Sequence, residues 1–344
     1  VHKQVVKDDG TTPNNNPSYK LGDTITFELS TVIPNFSGYD KNATNLTAKD
    51  ARVLQLTDTF SNGLTYDKVT SVKVEGTDTA LTDNDYTITT PTTTTGGGKL
   101  IVDFGKLVNQ VSGSALENTL SSYYGKKITV VVTAHLNENA VIATQGSDTV
   151  VTGDDANGNP NSVDVTFSNN PSDNSDKSKT PGDTVNVYSF QYTLKKTGQG
   201  NDADGLKGAK FTIKDSDGKY LGYDSSTKQW SSLGTTEPGS DAAAGIFTSE
   251  PTIGFYGLKE GTYTVHEVEA PAGYLGINLP TFTFTIGAAY NHDDTNTSAG
   301  TSIDSGDTSL NTLTYSASAI GTSSGYIEGV TDGTVTVQTF TSTQ

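Results

Sequence analysis

Three short runs in this chain alternate apolar and polar residues until the apolar face meets one reactive group. Strand side chains alternate faces with a period of two, so Val1, Lys3 and Val5 share a face, as do Leu54, Leu56, Asp58 and Phe60, and Val163, Val165, Phe167 and Asn169. An amine, a carboxyl and a carboxamide are thereby aimed into one core. These are the components of an intramolecular Lys–Asn isopeptide bond. An unprotonated lysine attacks the amide carbon, the acid passes the proton to the departing nitrogen, and ammonia leaves. Burial assists both partners, because desolvation lowers a lysine pKa and raises that of a carboxylic acid. The product is uncharged, which removes the cost of keeping a charged pair out of water. Asn170 adjoins Asn169, and strand parity favours Asn169.

A second amine and acid recur downstream. Phe190, Tyr192, Leu194 and Lys196 share one strand face, with Lys195 turned away. Tyr263, Val265 and Glu267 share another, and Ala270-Pro271-Ala272-Gly273 ends that strand in a turn. The chain has a single arginine, Arg52, so Glu267 has no obvious guanidinium partner. A carboxyl aimed at a core without one is neutral or has a chemical task.

The elements that must position these groups are short strands. The first 170 residues predict strands over 1–5, 23–32, 52–60, 69–74, 85–89, 99–104, 127–137 and 162–169, with one short helix over 114–123. Strands at this spacing, separated by turn clusters, predict an immunoglobulin-like sandwich. The polar, proline-bounded stretch 171–184 is expected to be a linker, followed by a second sandwich over 185–344. The second unit would be closed by strands at 281–286 and 333–340. Between these lies a long Ser/Thr/Asp-rich insertion at 288–326, either a surface excursion or an extra hairpin. The fold class is therefore all-β, with two tandem immunoglobulin-like domains.

Composition excludes several functions. The 344 residues carry 39 acidic and 22 basic side chains, a net charge of −17, so a phosphate-reading surface is not expected and nucleic acid is excluded as a partner. Zero cysteines remove thiol catalysis, zinc thiolates and disulfides. No apolar run approaches the ~18 residues of a membrane span. His2, His135, His266 and His292 lack metal spacing, and no serine-hydrolase elbow is present. Asp215-Ser-Asp-Gly218 and the segment 153–159 resemble fragments of calcium loops, but hairpin turns explain them better. No metal and no cofactor are expected, nor is an enzymatic activity. Asn42 and Asn45 begin Asn-x-Thr triplets of the kind chance supplies in such a composition. Trp230, with tyrosines nearby, is either a carbohydrate platform or a packing residue.

The segment Tyr263-Thr-Val-His-Glu267-Val-Glu-Ala-Pro-Ala-Gly-Tyr274 resembles the E-box of B-type collagen-adhesin domains, found in Gram-positive surface proteins and sortase-assembled pilins. Upstream, the lysine strand ending at Lys196 and Gly205-Leu-Lys-Gly-Ala-Lys-Phe-Thr-Ile213 resemble the opening of the same domains. The first half is similar to the A-type collagen-adhesin fold: Val-His-Lys3-Gln-Val fits its lysine strand, Leu-Thr-Asp58-Thr-Phe its acid strand, and Thr-Phe-Ser-Asn169-Asn-Pro its asparagine end. The resemblance implies Asp58 and Glu267 as the promoting acids. In the second domain it also implies an asparagine two residues after a Val-x-Val pair. Thr339 stands there instead, while Gln338 falls on the other face. Either another asparagine, such as Asn311, serves Lys196, or Lys196 and Glu267 remain an unlinked pair capped by Thr339.

As a whole the resemblance implies a SpaA-like major pilin, a structural subunit of a covalently polymerised, cell-wall-anchored extracellular pilus. Its expected partners are other pilin subunits joined by sortase, with host matrix or mucus glycans as candidate ligands. The alternative is a stalk or ligand-binding region of a monomeric wall-anchored adhesin. The chain opens inside a strand and shows neither a pilin motif nor a sorting signal, as an internal piece of a longer precursor would.

Overall fold

A computed structural model describes residues 1–37, 39, 52–109, 120–145, 150–151, 153–171, 173, 176–198, 204–292, 308–321, 327–331 and 333–339. The chain is all-β and forms two immunoglobulin-like sandwiches. In the first, β1 (His2–Val6), β2 (Thr24–Val32), β7 (Lys127–Leu136) and β4 (Leu64–Val74) form one sheet in the order β1-β2-β7-β4. The facing sheet runs β10-β8-β3-β6-β5, built from β3 (Leu54–Phe60), β5 (Thr87–Thr89), β6 (Gly98–Asp103), β8 (Asn159–Ser168) and β10 (Asp183–Val187), with β9 (Lys177–Lys179) also paired to β8. Alternation does the sorting. In β3, Leu54, Leu56, Asp58 and Phe60 are all buried while the residues between them are half-exposed, as a strand with one core face requires.

Two expectations change here. The stretch 171–184 is not a free linker, because Thr166, Phe167 and Ser168 pair with β9, and β10 pairs along 159–163 of β8. Its polar composition is that of a sheet edge whose inward positions, Asp183, Val185 and Val187, are buried. β8, expected as the last strand of the first unit, also begins at Asn159, three residues before its expected start. Pro160 reads as a breaker in sequence, but the first residues of a strand tolerate proline. The expected helix over 114–123 falls mostly outside the described residues, as do Asn42 and Asn45.

In the second unit, β16 (Thr252–Leu258), β11 (Phe190–Gly198), β21 (Thr334–Thr339) and β20 (Ile327–Thr331) form one sheet in the order β16-β11-β21-β20. The other runs β14-β13-β12-β17-β18-β19, from β12 (Lys210–Lys214), β13 (Tyr220–Asp224), β14 (Gln229–Gly234), β17 (Gly261–Glu269), β18 (Thr281–His292) and β19 (Thr308–Ala319), with β15 (Phe247–Thr248) on β12. The described part of the long insertion is thus a hairpin, β18 continuing to His292 and β19 returning beside it. The closing strand β21 lies parallel to β11, with Val337 opposite Lys196.

The chain crosses between units at Tyr188–Phe190, and this segment is held on both sides. Ser18 bridges Tyr188, and Ala143 bridges Phe190. Leu21, from the β1–β2 loop, is buried in the junction: its N–H donates to Gly257 O at 3.0 Å and its carbonyl accepts the Trp230 N–H at 3.0 Å. Gly257 has φ +76°, and a Cβ there would lie 2.3 Å from Leu21 Cγ, so the contact needs glycine. Trp230 is 6% exposed and its Nε1 donates to Tyr256 O, so it packs at the junction and does not form a carbohydrate platform. On the other side, Val151 N donates to Asn311 O and Gln145 Nε2 to Leu313 O. Removing the Leu21 side chain should cost ~2–5 kcal/mol at this junction. Leu21→Ala is therefore expected to make the Tyr188–Phe190 crossover cleavable under limited proteolysis that leaves the wild type whole; equal resistance of the two would show the junction does not depend on this side chain.

Candidate isopeptide centres

β1 carries Lys3 inward against the facing sheet, and β3 presents Asp58 to it. Lys3 Nζ donates to Asp58 Oδ1 at 2.8 Å, with the two side chains 0% and 1% exposed. The Phe27 ring lies under the ammonium, its centroid 4.8 Å away. Burial drives the Lys3 pKa down, opposed by the Asp58 charge, and drives the Asp58 pKa up, opposed by Lys3. Both shifts favour the neutral amine and neutral acid that aminolysis requires.

The amide at this centre is Asn161. It is 0% exposed, its Nδ2 lies 3.5 Å from Asp58 Oδ2, and its Oδ1 has no hydrogen-bond partner among the described residues. The register explains the placement. Asp58 pairs with Val163 across β3 and β8, so Asn161, two residues earlier and opposite Phe60, projects from the same face. Asn169 is corrected: it lies beyond the end of β8, exposed, with its amide bonded to the Ser178 hydroxyl. Asn170 Nδ2 instead faces Asp176 Oδ2 at 3.5 Å. Parity does not choose between the two, because Asn161 satisfies it with Val163 and Val165 as well as Asn169 does. The expected strand began at 162, one residue past Asn161, whereas the observed one begins at Asn159.

In the second unit, Lys196 Nζ donates to Glu267 Oε2 at 2.6 Å, and both side chains are fully buried. Phe211, opposite Glu267 on β12, sits 5.9 Å from the amine. Desolvation again lowers the lysine pKa and raises that of the acid, each offset by its partner. Glu267 Oε1 has no hydrogen-bond partner among the described residues. Asn311 cannot serve this pair. Glu267 N bonds Pro280 O at one end of β18, whereas Asn311 lies in the bulge near Tyr290, roughly ten residues away or ~33 Å along the ladder. The side chains of Gln338 and Thr339 fall outside the described residues.

Among the described residues no three His, Asp or Glu side chains form a metal-binding group. Asp215 Oδ1 accepts the Asp217 and Lys219 N–H groups, so this carboxylate caps its own hairpin turn. His266 pairs with Glu237 at 2.8 Å on the outer face beside Glu267. No described helix is long and apolar enough to cross a membrane.

Residues 190–301 match a family model described as SpaA, prealbumin-like fold domain. No curated protein sequence matches the chain significantly. Among solved structures, the chain is similar to the pilus 2b backbone protein of group B streptococcus, with TM-score 0.53 and 19% identity over 86% of this chain and 93% of that one. It is similar to the 35 kDa C-terminal fragment of a Streptococcus agalactiae major pilin, with TM-score 0.55 and 19% identity over 82% and 90%. A third is the pilus backbone protein of Streptococcus pneumoniae, with TM-score 0.50 and 13% identity over 99% and 100%. At these identities the likeness is one of fold. The chain therefore carries a SpaA prealbumin-like domain over residues 190–301 and, along most of its length, the fold of pilus backbone proteins.

Proposed function

We propose that this chain is a load-bearing part of a pilus backbone subunit, polymerised through sortase on a Gram-positive cell wall, and that Lys3 and Asn161 join within its first domain. The role is structural. What carries the reading is one constellation: an amine, an acid and an amide, each almost fully buried, with Asp58 between the other two. A core retains a lysine and an aspartate at several kcal/mol of desolvation cost where something is gained from them.

The neutral Lys3 amine attacks Asn161 Cγ. A half-turn of the Asn161 amide brings Oδ1 to the protonated Asp58, which then polarises the carbonyl as negative charge builds on it. Asp58 accepts the proton shed by the lysine nitrogen and delivers one to Nδ2. The C–Nδ2 bond breaks, ammonia leaves, and Asp58 ends as protonated as it began. The bond joins the first strand of the unit to the start of β8, so tension entering near Val1 bypasses the intervening strands.

Intact-mass measurement tests this directly. The wild-type chain should be lighter than its sequence mass by one ammonia, and digestion should release a branched peptide containing Lys3 and Asn161. A full sequence mass would sink the reading; a branch from Lys3 to Asn169 would restore the asparagine expected from sequence.

A further inference from the structure

A second carboxylate stands at the first centre, and linkage chemistry alone does not use it. β1 is an edge strand, paired along its length with β2 and touched on its other side, at Val5 and Val6, by residues 13 and 14. On its open side the Lys3 N–H meets no strand carbonyl. It donates to Asp183 Oδ2 at 2.5 Å. Asp183 is 4% exposed and opens β10, where it lies opposite Val163, two residues along β8 from Asn161. One carboxylate therefore ties the backbone of the nucleophile's residue to the strand pair that carries the amide. Its Oδ1 is buried without a hydrogen-bond partner among the described residues, and His2 Nδ1 stands 3.5 Å from Oδ2. The titratable groups facing Asp183 are Lys3 and His2 on β1; Asp164 on β8 turns outward to Lys179.

Resting on the linkage reading, we propose that Asp183 is a positioning residue for bond formation, clamping the Lys3 backbone to β10 so that the amine is presented to Asn161. A buried carboxylate with one oxygen unsatisfied is a costly way to close a sandwich edge. A strand carbonyl would accept the same N–H at less expense. What the carboxylate adds is a fixed point on the residue whose four-methylene side chain must reach across the core. Aminolysis is steeply sensitive to such placement, since ~1 Å of error can cost about a hundredfold in rate. Without the clamp, the Lys3 end of β1 is held by β2 alone, the loop segment that bonds Val5 lying two residues further on, and it can shift relative to β8.

The test follows ammonia loss by intact mass in freshly synthesised full-length chains, sampled over time from a cell-free reaction and counted only in the folded fraction, isolated by size-exclusion chromatography. Asp183→Ala removes the acceptor and should slow linkage at least about tenfold. Asp183→Asn keeps an acceptor oxygen without the charge and should restore a rate near wild type. Linkage of folded Asp183→Ala at the wild-type rate would overturn the proposal. So would Asp183→Asn linking as slowly as the alanine variant, because charge rather than position would then be responsible. If Asp183→Ala gives no folded fraction, the Asp183→Asn rate decides alone, near-wild-type supporting and a tenfold loss refuting. A wild type that never loses ammonia would instead refute the linkage reading itself.

Discussion

Asn161→Ala is expected to be heavier by one ammonia than the substitution alone accounts for, and to unfold at a much lower temperature than the wild type. The cross-link closes a loop of well over a hundred residues. By analogy with disulfides, closure of that length removes ~5 kcal/mol of chain entropy from the unfolded state. For a unit of this size that corresponds to roughly 10–20 °C in the unfolding midpoint. Asn169→Ala, by contrast, should show the same loss of one ammonia as the wild type and the same midpoint, since the Asn169 side chain is exposed and bonds only Ser178 among the described partners. Calorimetry on the two variants separates them: equal midpoints for Asn161→Ala and wild type would mean the centre contributes nothing to stability. Protease lifetimes should follow the same order, because cleavage samples opened states.

The second large effect lies at Lys196 and Glu267. Taken as an unlinked buried pair, removal of one partner strands the other in the core. Glu267→Ala should thus lose ~3–5 kcal/mol, measured as the shift of the urea midpoint at constant slope. Replacing both by apolar residues of similar volume, as in Lys196→Met with Glu267→Leu, should recover most of that loss, since the desolvation cost of both groups disappears together. Peptide mapping must accompany the measurement. A branched peptide containing Lys196 would refute the unlinked pair and identify its amide donor, and a double variant no more stable than Glu267→Ala would show that the pair does more than satisfy its own charges.

The two centres share a logic that the strands impose. In each, a lysine from one sheet reaches an acid on the facing sheet, and hydrophobic neighbours strip both of water. In the first unit an amide stands beside the acid on the same sheet, two residues out of register. In the second, the residue of the closing strand opposite Lys196 is Val337, which has no acyl group to offer.

Periodicity alone was enough to establish the all-β class, the two sandwiches and the inward aim of Lys3, Asp58, Lys196 and Glu267, because a period of two leaves only one face to a side chain once its neighbours are apolar. Those four residues needed no knowledge of which strand lies beside which. Asn161, Asp183 and Leu21 did. Parity admits Asn161 and Asn169 equally, and only the pairing of Asp58 with Val163 puts one beside the acid and the other beyond the strand's end. Asp183 lies in a stretch whose prolines, serines and aspartates suit a linker, yet β8 recruits it as an edge strand. Leu21 is one leucine among turn residues until Gly257 and Trp230 close around it. Alternation is a local property of the chain, whereas register and docking depend on partners far away in sequence, and those are chosen only when the sheets assemble.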